Sequence, residues 1–136
     1  MRRLMAVAVL ILAGTAAAQA RGTIWDGAYT DAQADRGHTA YMQNCSRCHG
    51  ESLMGMFEIP PLVGRIMPYY AGSKLSVLLE YISTAMPLGR PGSLSPATNA
   101  DIVAYILKSN DVPSGGKELT PDSAKAIAFT AMPRKK

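Results

Sequence analysis

Two thiols and an imidazole lie close together in the sequence, at Cys45, Cys48 and His49, and these are the only cysteines in the chain. Thiols at this spacing can add to the two vinyl groups on one edge of a porphyrin while the adjacent imidazole reaches the iron, and C-x-x-C-H is the pattern of c-type haem attachment. A zinc site needs four ligands, for which the chain offers only these three and His38. A disulfide is the other alternative, but a thioredoxin-like motif requires a βαβ unit that the sequence does not predict. The motif therefore predicts one covalently bound haem c with His49 as an iron ligand.

A second iron ligand is expected on the other side of the haem, where a methionine thioether favours the reduced state. Of the eight methionines, Met67 and Met86 remain as candidates, and each precedes a proline that could stiffen a ligand loop. Met86 is favoured because an apolar helix precedes it and a loop rich in Gly and Pro follows it, giving a chain long enough to pass round the haem edge. A core methionine at a helix end is the competing interpretation of Met86.

Three main helices are predicted to hold these groups, over about 31–44, 73–83 and 96–109. Thr30 and Gln33 predict a capping box at the start of the first helix, which delivers the cysteines. Apolar residues at helical spacing predict the second helix, which ends near Met86 because the following proline disfavours helix. Ser95 is the predicted N-cap of the third. Glycines and prolines in residues 50–70 predict an irregular loop, which in a compact domain usually wraps something.

The first 20 residues have the pattern of an export signal, with a basic start, an apolar run from Leu4 to Ala13 and small residues up to Ala20. The apolar run is too short for a helix of about 20 residues that spans a bilayer. We therefore expect cleavage after Ala20, a periplasmic protein and no permanent membrane span.

The remaining residues, 21–136, fit one domain. Its core is expected over about 31–110, followed by a C-terminal extension, 111–136, in which Thr120 is predicted to start a short helix. The formal charge of the whole chain is +4, and it comes close to zero without the two leader arginines and with the propionates of a haem. This charge balance indicates no nucleic-acid partner.

Five segments, in order along the chain, resemble a class I cytochrome c. They are Cys45-x-x-Cys48-His49-Gly50, Pro60–Gly64, Tyr81-Ile82-x-x-x-Met86-Pro87, Pro91–Ser95 and Asp101–Ile106. The resemblance implies an all-α, cytochrome c-like fold in which three main helices and loops surround one covalent haem. It also implies that Met86 is the distal iron ligand and that the Pro60 carbonyl accepts a hydrogen bond from the His49 imidazole.

The same resemblance implies that Gly37 and Tyr41 of the first helix cross the last long helix near Tyr105, with the glycine permitting close approach. Trp25, Tyr69 and Tyr70 either hydrogen-bond a haem propionate or close the edge of the core, because buried indole and phenol groups usually have a partner. His38 is expected to be exposed to solvent.

If both axial positions of the iron are filled, no substrate reaches the metal, and the expected function is single-electron transfer without enzymatic catalysis. The resemblance extends to small cytochromes that accompany periplasmic dehydrogenases, which implies a dehydrogenase upstream and an oxidase or another cytochrome downstream. One alternative is a haem enzyme or gas-binding sensor with an open sixth iron position, although the sequence offers no distal acid–base pair. The other alternative is a haem-free thiol oxidoreductase.

Overall fold

The computed structural model describes residues 22–133 of the 136-residue chain, and the predicted export signal at residues 1–20 lies outside them. The described part is all-α, as the sequence predicts, with isolated backbone bridges and no β-strand within it. No helix in residues 22–133 is long and apolar enough to cross a membrane. After a 3-10 turn, the helices in chain order are α1 (Asp31–Asn44), α2 (Ser46–His49), α3 (Ile66–Tyr70), α4 (Leu75–Ala85), α5 (Pro96–Ser109) and α6 (Pro121–Ala124).

Helix α1 begins at the predicted residue, because the Thr30 hydroxyl oxygen accepts a hydrogen bond from the Gln33 N–H at 3.2 Å. The second half of the predicted capping box was wrong. The Gln33 side chain, which is 2% exposed, instead donates to the Leu119 carbonyl at 2.8 Å and accepts from the Leu119 N–H at 2.7 Å. This buried amide satisfies both backbone groups of Leu119 and ties the C-terminal extension to α1.

Helices α1 and α5 cross in close contact at Gly37. A Cβ atom at this position would lie 1.8 Å from the Asp101 carbonyl oxygen and 3.0 Å from the Tyr105 Cβ atom, so only glycine fits at this helix separation. The Tyr41 and Tyr105 rings pack beside the crossing, with centroids 5.3 Å apart. The prediction that Gly37 and Tyr41 meet the last long helix near Tyr105 is confirmed.

Helix α4 buries the apolar face that the sequence predicts, and both of its ends lie two residues later than predicted. Met86 is its C-cap and has an extended backbone, because the proline that follows disfavours helix. Helix α5 begins at the predicted residue, where the Ser95 hydroxyl oxygen accepts a hydrogen bond from the Thr98 N–H at 3.1 Å. The buried residues of α4 are Leu75, Leu78, Leu79 and Ile82.

The prediction of an irregular loop over residues 50–70 was wrong at its end, where α3 forms a short helix. Pro68 is tolerated there because it is the third helical residue, whose N–H group has no partner within a helix. The predicted short helix in the extension is confirmed as α6, where the Thr120 hydroxyl oxygen accepts a hydrogen bond from the Ser123 N–H at 3.1 Å. Beyond α6 the chain returns to the N-terminal segment and buries Phe129 completely.

Candidate functional site

A cavity of about 970 Å³ lies between the end of α1, α2, the loop that precedes α3, and the helices α3 and α4. Ile102 and Ile106 of α5 are also part of its lining. Pockets for small molecules and cofactors are typically about 300–1,000 Å³, with mostly apolar walls and a few polar groups. This cavity therefore has the size and lining of a site for a large, mostly apolar cofactor.

Both cysteines line the cavity, and their thiols are free. Cys45 is the C-cap of α1 and is half-buried, whereas Cys48 lies in α2 and is exposed. Burial raises the pKa of the Cys45 thiol to about 11, and Cys48 adds to the shift. Redox-active cysteines need the opposite shift, because the thiolate is their reactive form. The Cys45 thiol is therefore not itself activated as a nucleophile.

The imidazole of His49 lines the same cavity, and a hydrogen bond to a neighbouring carbonyl fixes its orientation. Its Nδ1 atom lies 3.0 Å from the Pro60 carbonyl oxygen, so a proton on Nδ1 donates to that oxygen and leaves Nε2 as the lone-pair donor. The backbone is fixed as well, because the His49 carbonyl accepts a hydrogen bond from the Gly55 N–H at 2.8 Å. The arrangement orients one ring nitrogen for binding a metal.

The structure separates the two candidate methionines. Met86, the residue after α4, is half-buried and lines the cavity. Its backbone is fixed by a hydrogen bond from its N–H to the Ile82 carbonyl at 3.1 Å. Met67 is 8% exposed, belongs to the hydrophobic core and is outside the cavity lining. Of the two, only Met86 shares a cavity with Cys45 and His49.

Aromatic residues form another part of the lining. Three tyrosines lie there: Tyr69 and Tyr70 of α3 and Tyr81 of α4. Burial raises the pKa of Tyr70, and the nearby Tyr69 and Tyr81 raise it further. The sequence analysis named Tyr81 only within a family-like segment and gave it no role in the site, although it follows Leu78 by three residues and so shares its helical face. Tyr69 is 81% exposed and Tyr81 51% exposed, which leaves large aromatic surfaces facing the cavity and solvent.

Trp25 and His38 lie outside the cavity lining. The Trp25 indole donates from Nε1 to the Thr130 carbonyl at 3.0 Å, so this residue closes the edge of the core, one of its two predicted roles. The exposed position of His38 is confirmed, and its ring packs beside Tyr105 with centroids 4.9 Å apart. His49 is therefore the histidine of this site.

The residues of the cavity fit haem. Its two thiols, one oriented imidazole and one thioether are the donor set that covalent attachment and axial ligation require. The charged groups also suit a cofactor with two carboxylates, because the described residues of the lining include three arginines and no Asp or Glu. These arginines are Arg47, Arg65 and Arg90.

An all-α fold with this cysteine–histidine motif on a large apolar cavity defines a small c-type cytochrome. The family model described as "Cytochrome C oxidase, cbb3-type, subunit III" matches residues 32–106, and the chain belongs to this family. Family membership makes it a c-type cytochrome domain that binds haem c and serves electron transfer.

Two known proteins are similar to the chain. The thiosulfate dehydrogenase of Stutzerimonas stutzeri (strain A1501) is 32% identical over 78 residues, which cover 52% of this chain and 25% of that protein. The chain thus spans about a quarter of the length of this relative. The crystal structure of the sulfane dehydrogenase SoxCD from Paracoccus pantotrophus superposes with a TM-score of 0.57 at 20% identity, covering 93% of this chain and 68% of the other. At this identity the likeness concerns the fold.

Proposed function

We propose that the chain is a periplasmic carrier of single electrons that uses one haem c with His49 and Met86 as axial ligands. The observation that carries this proposal is the shared cavity of Cys45, Cys48, His49 and Met86. The proposed domain is 21–136, with residues 1–20 removed as an export signal.

Each of these residues has a separate role in the proposal. Cys45 and Cys48 hold the haem through thioether bonds, and His49 is the proximal ligand. The Pro60 carbonyl, 3.0 Å from Nδ1, keeps the proton on that nitrogen and so directs Nε2 to the metal. Met86 completes the coordination with a thioether, a neutral donor that stabilises the reduced state over the oxidised one. When bound, haem supplies an iron that accepts and releases one electron.

The protein's own contribution is to keep both ligands in place and to exclude water from the metal. The Met86 N–H is bonded to the Ile82 carbonyl, so the thioether extends from the fixed end of α4. Isoleucines of α5 and leucines of the lining surround the site with apolar groups, and a low dielectric environment of this kind affects the reduction potential. With both axial positions filled, the chain itself catalyses no reaction on a substrate.

Redox proteins are the proposed partners: a dehydrogenase as electron donor and an oxidase or another cytochrome as acceptor. The similarity to proteins named thiosulfate dehydrogenase and sulfane dehydrogenase supports the first part. The match to a family named after an oxidase subunit supports the second. No nucleic-acid partner is proposed.

The test is the optical spectrum of protein purified from the periplasm of a host that matures c-type cytochromes. We expect sharp reduced bands and, in the oxidised protein, a weak near-infrared sulfur-to-iron band. Met86→Leu should lose that band, whereas Met67→Leu, a change of similar volume in the core, should keep it. A band that survives in Met86→Leu and disappears in Met67→Leu would assign the ligand to Met67. A high-spin wild-type spectrum with carbon monoxide binding would instead indicate a haem protein with an open sixth position.

A further inference from the structure

Residues 127–130, which we term the C-terminal strap, lie close to the end of the described part of the chain and outside the family match at 32–106. One edge of the strap pairs with the N-terminal segment. Ala128 donates its N–H to the Gly22 carbonyl at 2.9 Å and accepts from the Ile24 N–H at 3.0 Å. The indole of Trp25 donates to the Thr130 carbonyl at 3.0 Å. The strap is therefore bonded along one edge to the N-terminal segment of the described chain.

The other edge of the strap holds the turn between α3 and α4. Phe129 donates its N–H to the Ser73 carbonyl at 2.9 Å and accepts from the Gly72 N–H at 2.9 Å. The N–H of Leu75, the first residue of α4, donates to the Ile127 carbonyl at 2.9 Å. These bonds fix the start of α4, the helix whose other end carries Met86.

The Phe129 side chain connects the strap to the wall of the cavity through Tyr70. It is fully buried, and its ring centroid lies 5.8 Å from that of Tyr70. Tyr70 lines the cavity, and its carbonyl accepts a hydrogen bond from the Ser73 hydroxyl at 2.7 Å. A continuous set of contacts thus runs from the strap through Tyr70 to the wall that also contains Met86.

We propose that Phe129 is a positioning residue for the methionine side of the haem site: by fixing Tyr70 and the start of α4, the strap keeps Met86 on the iron. This inference rests on the proposed His49/Met86 ligation. An external ligand can bind the iron only in molecules from which Met86 has dissociated, so its apparent affinity measures the dissociated fraction. Loosening the strap raises that fraction without changing either iron ligand.

The experiment measures imidazole binding to the oxidised, haem-loaded full chain, together with the sulfur-to-iron band. For Phe129→Leu, which keeps an apolar side chain but loses the ring contact with Tyr70, we expect imidazole to bind about tenfold tighter and the band to weaken. Trp25→Phe removes the indole hydrogen bond to Thr130 and part of the ring at the other edge of the strap, and a smaller change in the same direction is expected. Lys125→Ala, at an exposed position of the same extension, is the control and should match the wild type.

Two results would overturn the inference, and they differ from each other. If Phe129→Leu and Trp25→Phe unfold at lower temperature but keep the wild-type imidazole affinity and band, the strap stabilises the fold and does not position Met86. If the wild type itself lacks the band and binds imidazole as tightly as Met86→Ala, the proposed ligation is wrong, and the inference fails with it. Should Phe129→Leu not fold, Trp25→Phe decides the question alone.

Discussion

Replacing Gly37 with alanine adds one methyl group where α1 crosses α5, and the structure sets the size of the effect. The new Cβ atom would lie 1.8 Å from the Asp101 carbonyl oxygen and 2.5 Å from its carbonyl carbon, whereas ordinary contact begins near 3.4 Å. The two helices must therefore separate locally by about 1.6 Å, since a backbone carbonyl cannot rotate away as a flexible side chain can. Both helices contribute to the haem cavity, through Tyr41 on α1 and Ile102 on α5.

Overpacking of this kind lowers the free energy of unfolding by about 1–3 kcal/mol. Because the clash here is with backbone, we expect Gly37→Ala to lower it by about 3 kcal/mol or more. For a domain of roughly 110 residues, 1 kcal/mol corresponds to about 4 °C, so Tm should fall by roughly 12 °C. The assay is thermal unfolding of the haem-loaded protein followed by circular dichroism.

Gly116→Ala is the matched control, because a Cβ atom at Gly116 meets no heavy atom within 4 Å. This variant should unfold within about 2 °C of the wild type, or slightly above it, since alanine restricts the unfolded chain. Equal Tm values for Gly37→Ala and Gly116→Ala would refute the argument that the helix crossing depends on the absence of a side chain.

Two further outcomes concern stability. The Tyr29 hydroxyl donates to the Val112 carbonyl, and burial, together with the nearby Asp31, raises the pKa of Tyr29 from 10.0 to about 12. As the pH rises, Tyr29 therefore loses its proton in the unfolded chain before it does so in the folded one. The free energy of unfolding is intact below pH 10 and falls by up to roughly 3 kcal/mol as the pH rises to 12. Urea unfolding across this range should show a smaller alkaline loss for Tyr29→Phe, and equal losses in both proteins would contradict this assignment. Gln33→Leu leaves the buried N–H and carbonyl of Leu119 unpaired and should cost about 2–4 kcal/mol in the same assay, whereas Gln43→Leu, at an exposed position of the same helix, should cost less than about 0.5 kcal/mol.

Features that depend on neighbours in sequence could be predicted. Three helices begin directly after a capping residue, namely Thr30, Ser95 and Thr120. In each case the hydroxyl oxygen of the cap accepts a hydrogen bond from the N–H group three residues later, and such caps are visible in the sequence. The cysteine–histidine motif is local in the same way. For these elements the prediction needed no knowledge of tertiary contacts.

Features that depend on distant partners could not be predicted. Gln33 has the spacing of a capping box, yet its side chain is more strongly satisfied by both backbone groups of Leu119, 86 residues away. The short helix α3 was missed because Pro68 and the nearby glycines indicate a loop, and only the burial of Ile66 and Met67 in the core explains it. That same burial separates Met67 from Met86, a distinction that the sequence pattern leaves open.

The hydrogen bond between Ala128 and Gly22 has a consequence for how such a domain can be combined with others. The chain enters and leaves the folded unit at neighbouring points, which is the arrangement that tolerates insertion into a longer polypeptide and circular permutation. A host protein could therefore receive this unit in one of its surface loops without its own ends being forced apart.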